Sequence, residues 1–190
     1  MKNKISNLFN FPKVLKGNEI GIEIEIEGEN LRNINNIYWL SKQDGSLRGK
    51  ETIEYVLRKP IRINQTRAIL RILKKELKQN KTIILPSNRC SVHIHINVQH
   101  MLEKEAFIFI LLYLIVEEIL IDYCGEGRKG NLFCLQAKDA EELINKLIFI
   151  KRSRTFKVLQ QQGFRYSAIN IEAIVKFGSL EFRSFKTPKE

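Results

Sequence analysis

Polar and apolar residues alternate strictly from Ile20 to Gly28. Ile22, Ile24 and Ile26 fall on one side, Glu23, Glu25 and Glu27 on the other. A period of two predicts a strand with one apolar and one acidic face. The pattern returns from Arg89 to Val98: Val92, Ile94, Ile96 and Val98 oppose Arg89, Ser91, His93, His95 and Asn97. It returns again over Ser179 to Phe185, where Leu180 and Phe182 oppose Glu181 and Arg183. Thr52 to Arg58 and Tyr166 to Ile171 read as further strands, the latter joined to Ser179–Phe185 by a short turn. Asp44-Gly45-Ser46 is a turn signal.

Between these segments the period lengthens. Asn64 is a candidate cap for a helix to about Asn80, with Ile69, Leu70, Leu73 and Leu77 at helical spacing. Leu102 to Cys124 predicts a long apolar helix, stopped by Gly125-Glu126-Gly127. Asp139 and Glu142 resemble a capping box for a helix to about Gln162, with Gly163 as its stop. Strands irregularly interleaved with helices predict an α+β domain, with a largely antiparallel sheet and helices packed on one face. No repeat or linker divides the 190 residues, so a single domain over 1–190 is expected.

Composition narrows the class. Hydrophobic residues make up 44%, which argues against disorder. The 32 Lys and Arg against 21 Asp and Glu give +11, which favours an anionic partner without choosing one. Three cysteines without CxxC spacing suggest a reducing compartment, so a cytoplasmic protein is expected. The longest apolar run, Ala106 to Val116, falls short of the ~20 residues of a bilayer span and reads as a core helix. No membrane partner is expected.

Taken singly, the polar strand faces have ordinary explanations. An acidic face is answered by lysines on a neighbouring strand. The pair His93 and His95 is structural or exposed, and Glu181 with Arg183 is a surface ion pair. If the faces meet, one site holds several carboxylates, two imidazoles and an arginine. Hard oxygen donors favour Mg²⁺ or Mn²⁺ over zinc. Carboxylates, divalent ions and arginine together suit phosphoryl transfer. No GxxxxGK[ST] or GxGxxG segment is present, which disfavours P-loop and Rossmann nucleotide sites.

The ordered set Gly21-Ile22-Glu23-Ile24-Glu25-Ile26-Glu27-Gly28, Asp44-Gly45-Ser46-Leu47-Arg48, Glu54-Tyr55-Val56, Ser91-Val92-His93-Ile94-His95, Arg165-Tyr166-Ser167-Ala168-Ile169-Asn170 and Ser179-Leu180-Glu181-Phe182-Arg183 resembles the amidoligase family. These are predicted carboxylate–amine ligases of the glutamine synthetase-like superfamily, often encoded by phages and bacteria. The resemblance spans 20–185 and implies a glutamine synthetase-like catalytic domain that uses ATP and Mg²⁺. It implies metal ligation by Glu23, Glu25, Glu54, His93 and Glu181. His95, Arg165 and Arg183 would hold nucleotide phosphate, and Arg183 would also hold the acyl phosphate. Arg48 and Asn170 would lie near substrate. Glu27 or Asp44 would act as base toward the amine.

The implied activity joins a small-molecule or peptide carboxylate to an amine in the cytoplasm of a bacterial or phage-infected cell. Two other readings stay open. A metal-dependent nuclease would cleave nucleic acid without ATP. A non-catalytic nucleic-acid or virion-associated module would bind without turnover. Nucleic acid is the less favoured partner, because the aromatic residues are scattered and form no stacking platform. Oligomeric state is left open.

Overall fold

The computed structural model describes residues 1–11, 14–160 and 166–187. In chain order the elements are α1 (Ile5–Phe9), β1 (Glu19–Glu29), β2 (Trp39–Lys42), β3 (Glu51–Leu57), β4 (Ile61–Arg62), α2 (Thr66–Gln79), β5 (Ile83–Ile84), β6 (Ser91–Asn97), α3 (Glu103–Cys124), α4 (Glu141–Ser153), β7 (Ile169–Asn170), α5 (Ala173–Phe177) and β8 (Ser179–Lys186). The fold is α+β. One open sheet runs in the order β2-β3-β1-β6-β8-β7, with β4 and β5 added to the two ends of β1. Every pairing between these strands is antiparallel.

The alternation seen in the sequence becomes a division between two sheet faces. Ile22 pairs with Ile94, while Ile94 and Ile96 pair with Phe182 and Leu180, so these side chains share one face. Helix α2 covers the β1–β3 side of that face through Ile69 and Leu73. Trp39 is fully buried there, and its indole N–H donates to the Ile69 carbonyl at 3.1 Å. Helices α3 and α4 cover the other side, where Ile110, Tyr113, Leu143 and Leu147 pack with Leu180 and Phe182. Burying each such side chain contributes roughly 1.5–3 kcal/mol.

Several boundaries differ from the sequence reading. Asn64 does not cap α2: a 3-10 turn over Ile63–Gln65 precedes the helix, and the Gln65 side chain accepts the Arg62 N–H instead. The Asp139–Glu142 capping box is absent; Ala137–Asp139 forms a 3-10 turn and α4 starts at Glu141. Helix α4 ends at Ser153 rather than near Gln162, because Arg154 takes a left-handed conformation (φ 57°). The turn that follows buries Phe156, whose N–H donates to the Glu103 carboxylate at 2.9 Å. Gly163 lies outside the described residues.

The strand expected over Tyr166–Ile171 contracts to Ile169–Asn170, and the connection to β8 is helix α5 rather than a short turn. Gly178 closes α5 at φ 65°, and a Cβ there would meet the Gln99 side chain at 2.2 Å. Strands β2, β4 and β5 and helix α1 were not anticipated.

The β6–β8 pairing slips between Val92 and Ile94, so β8 carries one extra residue opposite His93. Such bulges re-aim side chains. A buried guanidinium braces this one: Arg128, 1% exposed, donates to the carbonyls of Arg183 (2.7 Å), Ser184 (2.9 Å) and Cys90 (3.3 Å). Replacing it would strand three carbonyls. Arg128→Leu is expected to lower stability by about 3 kcal/mol or more in chemical denaturation. A loss under ~1 kcal/mol would show that the bulge does not depend on it.

Candidate functional site

The polar face of the sheet is built by the same registers. Glu23 pairs with His93 on one side, Glu25 with Glu54 on the other, and His95 with Glu181. These side chains therefore converge from four strands. Glu25, His93, His95 and Glu181 are all buried, at 9% exposure or less.

His93 is the hub. Its Nε2 lies 2.7 Å from Ser91 Oγ, and that hydroxyl also lies 2.6 Å from Glu25 Oε2, which the Ser91 N–H reaches as well. Its Nδ1 faces two carboxylate oxygens, Glu23 Oε2 at 3.2 Å and Glu181 Oε1 at 3.4 Å. His95 repeats the theme: Nδ1 lies 3.1 Å from Ser179 Oγ, and Nε2 is buried without a hydrogen bond, 3.5 Å from Glu23 Oε1.

Glu181 is held from both sides. Asn170 Nδ2 donates to one oxygen at 2.7 Å and Arg183 donates to the other at 2.7 Å. The Arg183 Nε–H is buried and makes no hydrogen bond. Asp44 sits in the loop after β2, where it accepts the Ser46 N–H at 2.7 Å.

Electrostatics separate the carboxyls. Burial opposes ionisation of Glu23, but hydrogen bonds and charge from His93 and His95 outweigh it and hold the group below the usual range. Burial pushes Glu25 up. Burial also works against Asp44, yet the Ser46 bonds and a hydrogen bond with Glu25 keep it low. Glu54 is pushed up to about 8, first by burial and then by the charges of Glu23, Asp44 and Glu25.

Seven side chains form three overlapping sets whose donor atoms lie within 4.8 Å of one another. These are Glu23, His95 and Glu181; Glu23, Glu54 and His93; and Glu25, Asp44 and Glu54. Donors across one Mg²⁺ lie about 4 Å apart, so each set is close to the span of a divalent cation. Carboxylate oxygens dominate, which suits a hard cation. A cleft of about 570 Å³ opens over Glu23, His93, Glu181 and Arg183. A second, of about 290 Å³, adjoins it and shares Glu23, His95, Lys42 and Phe177 as walls.

The structure thus brings together Glu23, Glu25, Asp44, Glu54, His93, His95, Asn170, Glu181 and Arg183. It does not bring Glu27 and Arg48 into these sets. Glu27 instead accepts the Arg48 N–H at 2.9 Å, and the Arg48 side chain is exposed. Arg165 lies outside the described residues. Ser91 and Ser179, visible in the sequence only as polar face residues, tie the imidazoles in place. Lys42 on β2 and Phe177 on α5 were missed because neither element was anticipated. Phe177 meets His95 edge-on at 5.6 Å between ring centres.

Comparison of the chain with family models, with curated proteins and with solved structures finds no match. Among the described residues no helix is long and apolar enough to cross a membrane.

The raised Glu54 carboxyl gives a pH signature in chelator-treated protein. The folded chain keeps a proton that the unfolded chain loses, so its stabilising contribution is full below about 4.5 and is lost as pH rises through about 8. Glu25 acts in the same direction; Glu23, with a lowered carboxyl, acts only toward acid. Glu54→Gln is expected to flatten the decline in melting temperature across that window. An unchanged slope would remove Glu54 as its source.

Proposed function

We propose that the protein is an ATP- and Mg²⁺-dependent carboxylate–amine ligase of the amidoligase type. The observation that carries this reading is the convergence of five carboxyl groups and two imidazoles beside an arginine whose Nε–H has no partner. A carboxylate acceptor and ATP are both anionic, so a face meant to join them needs cations. Divalent ions bound by Glu23, Glu25, Glu54, His93 and Glu181 would supply charge neutralisation and Lewis acidity toward the phosphates.

The remaining roles belong to the chain's own groups. Arg183 donates to the γ-phosphoryl oxygens while Glu181 fixes its plane. His95 presents its Nε2, beside Glu23, to the same charge. An oxygen of the substrate carboxylate attacks the γ-phosphorus, the bond to the bridging oxygen breaks, and ADP leaves. The amine nitrogen then attacks the acyl carbon of the resulting acyl phosphate, and inorganic phosphate departs. Asp44, kept ionised by Ser46, is better placed than Glu27 to take the ammonium proton. The two adjoining clefts give separate room for nucleotide and acceptor.

Calorimetry of ATP with and without Mg²⁺ tests this reading. Mg²⁺-dependent binding is expected in the wild type. Glu25→Gln should abolish it and reduce ADP formation by about 100-fold or more, with the circular dichroism unchanged. Folded wild-type protein that binds no nucleotide, or that cleaves nucleic acid with Mg²⁺ and no ATP, would overturn it.

A further inference from the structure

Basic charge is concentrated in one stretch of the chain. From Arg58 to Lys81 nine lysines and arginines stand against a single acid, Glu76, so this stretch carries +8 of the total +11. All nine are exposed, and among the described residues none of them forms an ion pair. Four of them, Arg67, Arg71, Lys74 and Lys78, recur at intervals of three and four along α2, one per turn on one flank. Glu76 is two residues from each of these lysines, hence about 160° round the helix from both. Glu29, opposite Ile83, falls on the other sheet face with Glu25 and Glu27.

A cleft of about 590 Å³ runs beside that flank, on the apolar side of the sheet and so away from the polar clefts. Ile24 and Ile26 line it from β1, and Leu70, Leu73 and Leu77 from α2; Lys74 and Lys78 complete the wall, and no acidic side chain enters it. Leu70 is 36% exposed. The two hydroxyls in the lining are engaged: Thr82 donates to the Asn30 carbonyl at 3.1 Å and Thr187 to the Glu25 carbonyl at 2.9 Å. The volume lies within the about 300–1,000 Å³ of ordinary ligand pockets. The cleft therefore offers walls to an aliphatic chain and cations to an anion at its edge.

We propose that α2 docks on an anionic lipid surface, with its row of cations on the headgroups and one acyl chain seated in the cleft. Both parts of the lipid are needed to use both parts of the site. A nucleic-acid backbone would use the cations and leave the cleft empty. The stretch 56–90 also contains no Phe, Tyr or Trp on which a base could stack. The sequence led us to expect no membrane partner because no apolar run is long enough to span; a helix that lies on a surface needs no span. Docking through α2 leaves the polar face of the sheet open on the far side.

Vesicle flotation tests the proposal. The wild type is expected to float with phosphatidylcholine vesicles containing about 30% phosphatidylserine and not with phosphatidylcholine alone. Lys74→Gln/Lys78→Gln should weaken partitioning about 10-fold or more. Leu70→Ser, which changes no charge, should weaken it several-fold by removing one wall of the cleft. Lys151→Gln/Arg152→Gln, an exposed pair on α4, should leave it unchanged. Circular dichroism should be unaltered in all three. Folded wild type that floats with neither vesicle overturns the proposal, as does equal flotation with both. So does full binding by either α2 variant, or an equal loss in the α2 and α4 pairs, which marks net charge alone. A gel shift of duplex DNA without flotation overturns it in favour of a nucleic-acid surface.

Discussion

The placement of β1 between two antiparallel neighbours is the constraint on which the rest of the structure depends. Its isoleucines pack under α2 and beside the isoleucines of β6. A slip of one residue would send all of them to the polar side. Apolar contact therefore fixes the register, and the register forces Glu25 against Glu54 and Glu23 against His93. The acidic face is a consequence of the core: the side that is stable in water holds together a side that is not stable alone. The raised Glu54 carboxyl is the electrostatic record of that imbalance.

The other half of the site depends on a break in this regularity. Perfect pairing of β6 with β8 would leave no room for the extra residue opposite His93. The bulge keeps Phe182 and Phe185 over the core while Arg183 stays with Glu181 on the polar side. Arg128 stabilises it by filling a buried volume with donors where the ladder loses its own bonds. A distant loop thus positions the guanidinium that faces the cleft.

What could be read from the chain follows from the same physics. Strands half-buried in a sheet announce themselves by alternation, and β1, β6 and β8 did. Their shared polar face made Glu23, Glu25, His93, His95, Glu181 and Arg183 legible before any coordinates, while Asp44, Glu54 and Asn170 entered only through the resemblance. Short strands carry too few residues to show a period, so β2, β4 and β5 left little trace and β7 was drawn too long. Trp39 lies in β2, a strand of four residues whose burial rests on a hydrogen bond to α2 from a distant part of the chain. Glu27 continued the alternation yet left the cluster, because the loop carrying Arg48 offered its carboxylate a backbone N–H. Arg128 gave no local signal, since its partners are carbonyls on strands far along the chain.

Charge is distributed against the grain of the composition. The chain carries +11, yet it buries Glu25 and Glu181 on the same sheet face that holds Glu23 and Glu54. A basic exterior raises the local concentration of anions, and an anion arriving at the cleft then meets Glu23, Glu54 and Glu181. The two fields agree only for a ligand that is anionic at long range and brings cations at short range, as a metal-bound polyphosphate does. On the proposed reading, the surface gathers the nucleotide and the carboxylates retain it through its metal. A bare anion gains from the first field and loses to the second, so the arrangement discriminates by cation content rather than by shape.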